Sequence, residues 1–318
     1  MSYKPPLFLF NGHLETIFPS LVRRVTLPPY SRERITTPDD DFLDLDWIRT
    51  GSKKLLIISH GLEGSSDRAY VKGLAKAAIS NGLDVLAWNF RGCSGEINRQ
   101  LRFYHSGATD DLHTVVTHVL AAGAYHEINL AGFSLGGNLT LKYLGERTHS
   151  PQVKRAVVFS VPMDLHTSCA KISQPSNWIY ANRFLRSLKQ KVVLKSALFP
   201  ELDTRHLPTI RTIQAFDDIY TAPLHGYRDA ADYYTQNSSI QFVKAITIPS
   251  LIINAMNDPF LSRACFPVEL LRDHANVRLE TPSRGGHVGF AQFTPAGLYW
   301  SEARAMDFLT ADIADYAD

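Results

Sequence analysis

The chain has 318 residues, of which 45% are hydrophobic and 20% are charged, and its formal net charge is +2. This composition is typical of a globular protein with a sizeable core, and a charge so close to zero gives no basic footprint for nucleic acid. We therefore expect no nucleic-acid partner. Three widely spaced cysteines (Cys93, Cys169 and Cys265) favour a reducing compartment over a disulfide framework, and they form no CxxC pair that would indicate a metal.

The N-terminal segment has a short apolar patch at residues 7–10, without the long apolar region and small-residue cleavage site of a signal peptide. No apolar run approaches the roughly 18 residues expected of a membrane span. These features predict a cytoplasmic protein with no integral membrane segment. Nothing in the sequence sets an oligomeric state.

Strands and helices alternate along the first half of the chain. Residues 30–50 predict a hairpin with an acidic turn, and a helix begins at about Asp67. Four apolar runs predict buried strands: "KKLLIISHG", "DVLAWNFRG", "EINLAGFS" and "KRAVVFSVP". Further helices are predicted at "TDDLHTVVTHVLAAG" and "LGGNLTLKYLGER". Strands separated by helices of about 10 to 15 residues indicate right-handed βαβ units and a mostly parallel sheet.

The alternation stops after Pro162. Residues 163–239 contain helical segments rich in aromatic side chains, and we interpret them as a helical cap inserted over one edge of the sheet. The strands resume at "PSLIINAMND" and "NVRLETPSRGGH", and a helix is predicted at 299–316. The predicted core is therefore formed by residues 1–162 and 240–318, with residues 1–30 as an N-terminal extension.

Ser134 lies in the pattern Gly-x-Ser-x-Gly, between a predicted strand and a predicted helix. This order is that of the nucleophile elbow, in which glycines permit a strained serine backbone and close approach of neighbouring chains. The alternative is the glycine-rich turn of a nucleotide-binding fold. The segment lacks the GxGxxG spacing and a P-loop lysine, so the elbow is favoured.

A serine hydroxyl becomes an effective nucleophile when a histidine, held by a carboxylate, takes its proton. In an architecture with this elbow the acid and the histidine follow the serine in that order. Asp258 directly follows the predicted strand "SLIINAMN", and His287 lies in "SRGGHVGF". Asp258 is also a plausible turn residue, and Asp217 and Asp218 are rival acids. We favour Ser134, Asp258 and His287 as the triad, because the strand before Asp258 is the clearer one.

An oxyanion formed at this serine needs two backbone N–H donors. One is predicted at Leu135, the residue after the nucleophile, and the other at Leu62 in the early loop "HGLEGSS". We interpret His60 as a residue that shapes this loop through hydrogen bonds. The chemistry requires no metal and no organic cofactor.

Five segments in this order, "SHGLEGSS", "NFRGCSG", "GFSLGGN", "NAMNDPF" and "GGHVGF", resemble the α/β-hydrolase superfamily. The stretches "NGHLETI" and "FDDIYTAPLHGYRDAADYY" are similar to its YheT-like branch, and the resemblance runs from about residue 11 to residue 309. It implies an α/β-hydrolase fold, a mostly parallel sheet flanked by helices with a helical cap after the nucleophile half. It also implies serine hydrolase chemistry on esters, since relatives in this branch are described as carboxylesterases or lipases.

The sequence thus predicts a carboxylic-ester hydrolase whose partner is a small-molecule acyl ester. The same triad serves thioesterases, amidases and acyltransferases, and a hydrolase fold without activity would be a binding protein. Within the cap, Trp178, Tyr180, Phe184 and Leu185 are candidates for an apolar acyl pocket, or else they form the cap's own core. His13, in the "NGHLETI" stretch, is interpreted as a structural contact.

Overall fold

The computed structural model describes residues 3–311, which fold around an eight-stranded sheet with the order β1-β2-β4-β3-β5-β6-β7-β8. The strands are β1 Ser31–Thr36, β2 Phe42–Ile48, β3 Lys54–Ser59, β4 Asp84–Asn89, β5 Glu127–Phe133, β6 Val153–Phe159, β7 Ser250–Ile253 and β8 Val277–Glu280. β2 pairs antiparallel with both β1 and β4, and every other pairing is parallel. The predicted hairpin and mostly parallel sheet are both present.

The helices lie on both faces of this sheet. They are α1 Gly12–Val22, α2 Ala69–Ser80, α3 Thr109–Ala121, α4 Leu135–Glu146, α5 Leu165–Ile172, α6 Trp178–Ser196, α7 Ile213–Phe216, α8 Ala222–Leu224, α9 Ala230–Asn237, α10 Val268–Leu271 and α11 Trp300–Thr310. The sequence predicts a C-terminal helix over residues 299–316, and the part of this range after residue 311 lies outside the described residues.

The central strands are apolar throughout because both faces of the sheet are covered. Along β3, Leu55 and Ile57 belong to the core beneath α3 and α4, whereas Leu56 and Ile58 belong to the core beneath α2 and α11. Successive side chains of a strand point to opposite faces, so a continuous apolar run is what such a strand requires.

The chain between β6 and β7 forms a helical layer with its own apolar cluster, contributed mainly by α5–α9. The segment "FDDIY" after α7 continues as a π-helix over Asp217–Thr221. This layer, called the cap below, stands over the carboxyl ends of the parallel strands, where open α/β sheets place their ligands.

A buried ion cluster ties the β1–β2 turn to the loop after β4. The Arg91 side chain is only 1% exposed, and its guanidinium lies 2.8 Å from Asp41, 2.7 Å from Asp111 and 2.9 Å from Asp39. Burial acts to raise the pKa of Asp41, but hydrogen bonds from Asn98 and the backbone, together with the charge of Arg91, bring this pKa below its usual value. The three carboxylates therefore depend on the Arg91 guanidinium for charge compensation.

We expect Arg91→Met to lower the free energy of unfolding by about 3–5 kcal/mol, because it leaves carboxylates buried without a counter-charge. Urea denaturation followed by circular dichroism measures this. The matched control is Arg205→Met, whose side chain is 87% exposed beside Asp203 and whose loss should leave the denaturation midpoint almost unchanged.

The Asp41 contribution also has a defined pH dependence. Since the pKa of Asp41 is lower in the folded state, the stabilisation is present above the ordinary carboxyl pKa and is lost as pH falls through the lowered one. An Arg91→Met protein with the same free energy of unfolding as the wild type would show that the ion cluster does not stabilise the fold.

Candidate active site

Ser134 occupies the turn between β5 and α4 with φ 53° and ψ −119°. A Cβ atom added at Gly132 would lie 2.4 Å from the Gly136 carbonyl oxygen, and one added at Gly136 would lie 2.3 Å from the His60 carbonyl oxygen. The two glycines are therefore required by close backbone approach. The strained turn lifts the serine side chain to the edge of the sheet beneath the cap.

A chain of hydrogen bonds joins Ser134, His287 and Asp258. The Ser134 hydroxyl oxygen lies 2.9 Å from His287 Nε2, and His287 Nδ1 lies 2.9 Å from Asp258 Oδ2. The carboxylate holds the imidazole with its proton on Nδ1, which leaves Nε2 free to accept the serine proton. The geometry is that required for general-base activation of a serine.

The loops after β7 and β8 hold the acid and the histidine. Asp258 is buried, and its Oδ1 accepts the Phe260 N–H at 2.8 Å. The centroid of the Phe260 ring is 4.1 Å from that of the His287 ring. The Val288 N–H donates to Ser160 Oγ at 2.9 Å, so the end of β6 also supports this loop.

Helix α1 holds the His287 loop from outside the sheet, a role that the sequence analysis did not assign to it. Thr16 Oγ1 accepts the His287 N–H at 2.8 Å, and Glu15 Oε2 accepts the Gly285 N–H at 3.0 Å. Glu15 is fully buried and also accepts from Asn257, whose own amide oxygen accepts the Gly286 N–H at 3.0 Å. The "NGHLETI" stretch thus supplies the acceptors that fix the backbone beside the histidine.

The loop after β3 runs alongside the elbow. Gly61 is so close that a Cβ there would lie 3.3 Å from the Ser134 Cβ. His60 lies 2.7 Å from the Gly61 carbonyl through Nδ1 and accepts the Phe90 N–H through Nε2, and burial lowers its pKa to about 3. His60 is thus a neutral residue that shapes this loop. Leu62 follows, lining the space above Ser134 together with Leu135.

Two cavities meet at Ser134. The first, of about 210 Å³, lies between α1, the start of α2 and α6; we call it the arginine-lined cavity because Arg23, Arg68 and Arg183 border it. The second, of about 130 Å³, lies under the cap and is called the cap cavity. Both are lined by Leu62, Ser134, Phe184, Phe260 and His287. The Ser134 side chain is therefore accessible from both spaces.

Helix α6 contributes some of the predicted cap residues to these cavities and not others. Phe184 lines both, and Tyr180 lines the arginine-lined cavity, with its hydroxyl 3.2 Å from His13 Nδ1. Trp178 is 66% exposed and borders neither cavity. Leu185 is buried in the apolar cluster of the cap. Leu185 is therefore part of the cap's own core, the second of the two roles considered for these residues.

The rival acids Asp217 and Asp218 have other partners. Asp217 accepts the Tyr234 hydroxyl at 2.6 Å, and burial raises its pKa to about 6. It borders the cap cavity, but the His287 imidazole is paired with Asp258. Asp218 accepts the Ala230 N–H at 2.8 Å.

A model of the α/β-hydrolase fold family matches residues 54–292, and the chain belongs to this family. It is 36% identical over 310 residues to YheT of Escherichia coli strain K12, whose name calls it provisionally an esterase; the alignment covers 94% of this chain and 90% of YheT. It is 29% identical over 317 residues to the phospholipase ABHD3 of Bos taurus, covering 96% of this chain and 76% of the relative. The predicted family is confirmed.

A solved structure has the same fold. The esterase Pf2001 of Pyrococcus furiosus superposes with a TM-score of 0.61 and 19% identity, covering 97% of this chain and 96% of the esterase. The predicted fold class is therefore confirmed. Within residues 3–311, no helix has both the length and the hydropathy needed to cross a membrane.

We expect Thr16→Val to lower kcat/KM for an ester substrate about tenfold, because the His287 N–H loses its acceptor and the imidazole is held less firmly. Thr16→Ser keeps the hydroxyl and serves as the matched control, with activity near that of the wild type. The measurement is the steady-state rate on p-nitrophenyl butyrate. Equal activity of Thr16→Val and Thr16→Ser would show that α1 does not position the histidine.

Proposed function

We propose that this protein is a serine hydrolase of carboxylic esters, with Ser134 as nucleophile, His287 as general base and acid, and Asp258 as the orienting carboxylate. The observation that carries the proposal is the unbroken hydrogen-bond chain from Ser134 to Asp258 at a nucleophile elbow. Relatives of this chain include a phospholipase and a monoacylglycerol lipase, and this supports ester substrates.

The reaction proceeds by two acyl transfers. Ser134 Oγ attacks the ester carbonyl while its proton passes to His287 Nε2, and the tetrahedral intermediate collapses as His287 returns the proton to the leaving alcohol. Water then attacks the acyl-enzyme carbonyl, giving a proton to His287, which passes it to Ser134 Oγ as the acyl–oxygen bond breaks and the carboxylic acid is released. Asp258 stabilises the imidazolium in both steps.

The oxyanion of each tetrahedral intermediate is bound by the backbone N–H groups of Leu135 and Leu62. Leu135 is the first residue of α4, where free N–H groups and the helix dipole favour a negative charge. Leu62 belongs to the adjacent loop held by His60. Each such donor contributes about 3 kcal/mol to transition-state stabilisation.

The cap cavity receives the acyl chain. Its walls are largely apolar and aromatic, including Leu165, Ile172, Leu188 and Ile213. A cavity of roughly 150 Å³ holds benzene in another protein, so about 130 Å³ accommodates an acyl chain of about six carbons. Short and medium acyl chains are therefore the proposed substrates.

Hydrolysis of p-nitrophenyl esters from acetyl to palmitoyl tests this proposal. We expect a maximum of kcat/KM near hexanoyl, and Ser134→Ala should reduce kcat by about 10³-fold or more. Ser176→Ala changes an exposed serine and is the matched control. Labelling of the wild type by a fluorophosphonate, absent in Ser134→Ala, would identify the reacting atom.

Other outcomes distinguish the other uses of the same triad. Turnover of thioesters or amides without ester turnover would make the protein a thioesterase or an amidase, and ester turnover that needs an added alcohol would make it an acyltransferase. Lack of both turnover and labelling would leave a binding protein on a hydrolase fold.

The chain-length preference is expected to change in Leu188→Ala. Leu188 borders both the cap cavity and a smaller void of about 30 Å³, as do Tyr104 and Thr221. Truncation joins the two spaces, so the preferred acyl chain should lengthen by about two carbons. Val193→Ala, on the same helix at a position 53% exposed, is the control and should leave the preference unchanged. An unaltered preference in Leu188→Ala would place the acyl chain elsewhere.

A further inference from the structure

We propose, on the basis of the ester-hydrolase function above, that the arginine-lined cavity binds an anionic group on the alcohol part of the ester. The group is a phosphate or a carboxylate, and Arg68 and Arg183 are the residues that recognise it. The preferred substrate is then an acyl ester of a phosphorylated or carboxylated alcohol.

The charges around this cavity are not balanced. Arg23 is neutralised by Glu302, with a contact of 2.7 Å, and its guanidinium lies 3.6 Å from the centre of the Tyr299 ring. Glu63 is neutralised by Lys191 at 2.8 Å. Of the arginine and carboxylate side chains that line the cavity, this leaves Arg68 and Arg183.

The remaining two arginines keep most of their donors free. Arg68 gives one hydrogen bond, to the Glu63 carbonyl oxygen at 2.7 Å, and within residues 3–311 neither Arg68 nor Arg183 forms an ion pair with a carboxylate. Both side chains are exposed to solvent at the cavity mouth. A guanidinium offers a planar set of donors that matches phosphate and carboxylate oxygens, so two of them facing one space favour an anion.

Both guanidiniums are near the reacting centre. Arg68 and Arg183 line the same cavity as Ser134 and Tyr70. The Tyr70 hydroxyl accepts the Gly61 N–H at 3.0 Å, and Gly61 is the residue packed against Ser134. A substituent on the alcohol oxygen can therefore extend from Ser134 toward the two arginines.

The cap cavity, in contrast, disfavours an anion. Asp217 is the carboxyl group on its lining, and no arginine or lysine is among the residues that line it. His105, which also borders it, is kept neutral because burial lowers its pKa well below the usual value. The two cavities thus differ in charge, and this difference sets the direction in which the ester binds. The acyl chain lies under the cap and the anionic alcohol lies between α2 and α6.

Matched hexanoyl esters test the proposal. kcat/KM is measured for 1-hexanoyl-glycerol, 1-hexanoyl-glycerol 3-phosphate, hexanoyl-glycerophosphocholine and the hexanoyl ester of glycolic acid. We expect the anionic esters to exceed the neutral one by about tenfold or more, mainly through KM. Comparison of the phosphate and glycolate esters identifies which anion is preferred. The choline ester carries an anionic phosphodiester and should also exceed the neutral glycerol ester. A kcat/KM for 1-hexanoyl-glycerol equal to or above those for the anionic esters would overturn the proposal.

The variants are Arg68→Gln, Arg183→Gln and the double variant, with Arg186→Gln as the control. Arg186 is exposed on the same helix as Arg183 and borders neither cavity. We expect the ratio of kcat/KM for the anionic over the neutral glycerol ester to fall about tenfold in the double variant. High salt should lower this ratio in the wild type and have little effect in the double variant. An equal loss on neutral and anionic esters would contradict anion recognition.

Binding to the Ser134→Ala protein separates this proposal from the proposed function. Calorimetric titration with 1-hexanoyl-glycerol 3-phosphate and with 1-hexanoyl-glycerol needs no turnover. Tighter binding of the phosphate ester, lost in the double arginine variant, would support the anion site even if the wild type hydrolysed no ester. Equal binding of the two ligands would overturn it even if ester hydrolysis were established.

Discussion

The backbone at Ser134 has a φ of 53°, a conformation that costs of order 1–3 kcal/mol in a residue other than glycine. The turn persists because its own polar groups are bonded: the Ser134 N–H donates to the Phe159 carbonyl oxygen at 2.8 Å, and the Ser134 carbonyl accepts from Gly137 and Asn138. The strand that ends in this turn, β5, lies inside the sheet between β3 and β6, and β6 supplies the carbonyl that accepts the Ser134 N–H. The rest of the proposed site is arranged around this fixed point.

The histidine, by comparison, is held by segments that are distant in the chain. Its loop is bonded to Thr16 on α1, to Ser160 at the end of β6 and to Asn257 before the acid. Asp258 and the Phe260 ring orient the imidazole itself, and the hydrogen bonds to the neighbouring backbone fix the position from which the side chain extends. The N-terminal helix is therefore part of the proposed catalytic apparatus although none of its residues is assigned a chemical step.

Much of the fold could be predicted because apolar runs and helical spacing are local signals, and the elbow at Ser134 joins one of each. The order of serine, acid and histidine along the chain then favours Asp258 and His287 as its partners. The support from Glu15 and Thr16 could not be found in this way, because no short pattern records which loop a helix will contact. Helical periodicity likewise groups the residues of α6 into faces, but it does not show which face packs on the core. In the structure Phe184 lines the cavities, whereas Trp178 is exposed to solvent.

The cap is joined to the loop of the proposed oxyanion donors at Glu63. This residue has a φ of 53°, directly follows Leu62, and its carboxylate accepts from Ser187 and from Lys191, both on α6. The same carboxylate, which is only 7% exposed, also accepts the Tyr104 hydroxyl at 2.7 Å. The position of α6 and that of the proposed oxyanion loop are thus coupled through one carboxylate. A substitution on α6 can therefore change the geometry of this loop without touching Ser134, His287 or Asp258.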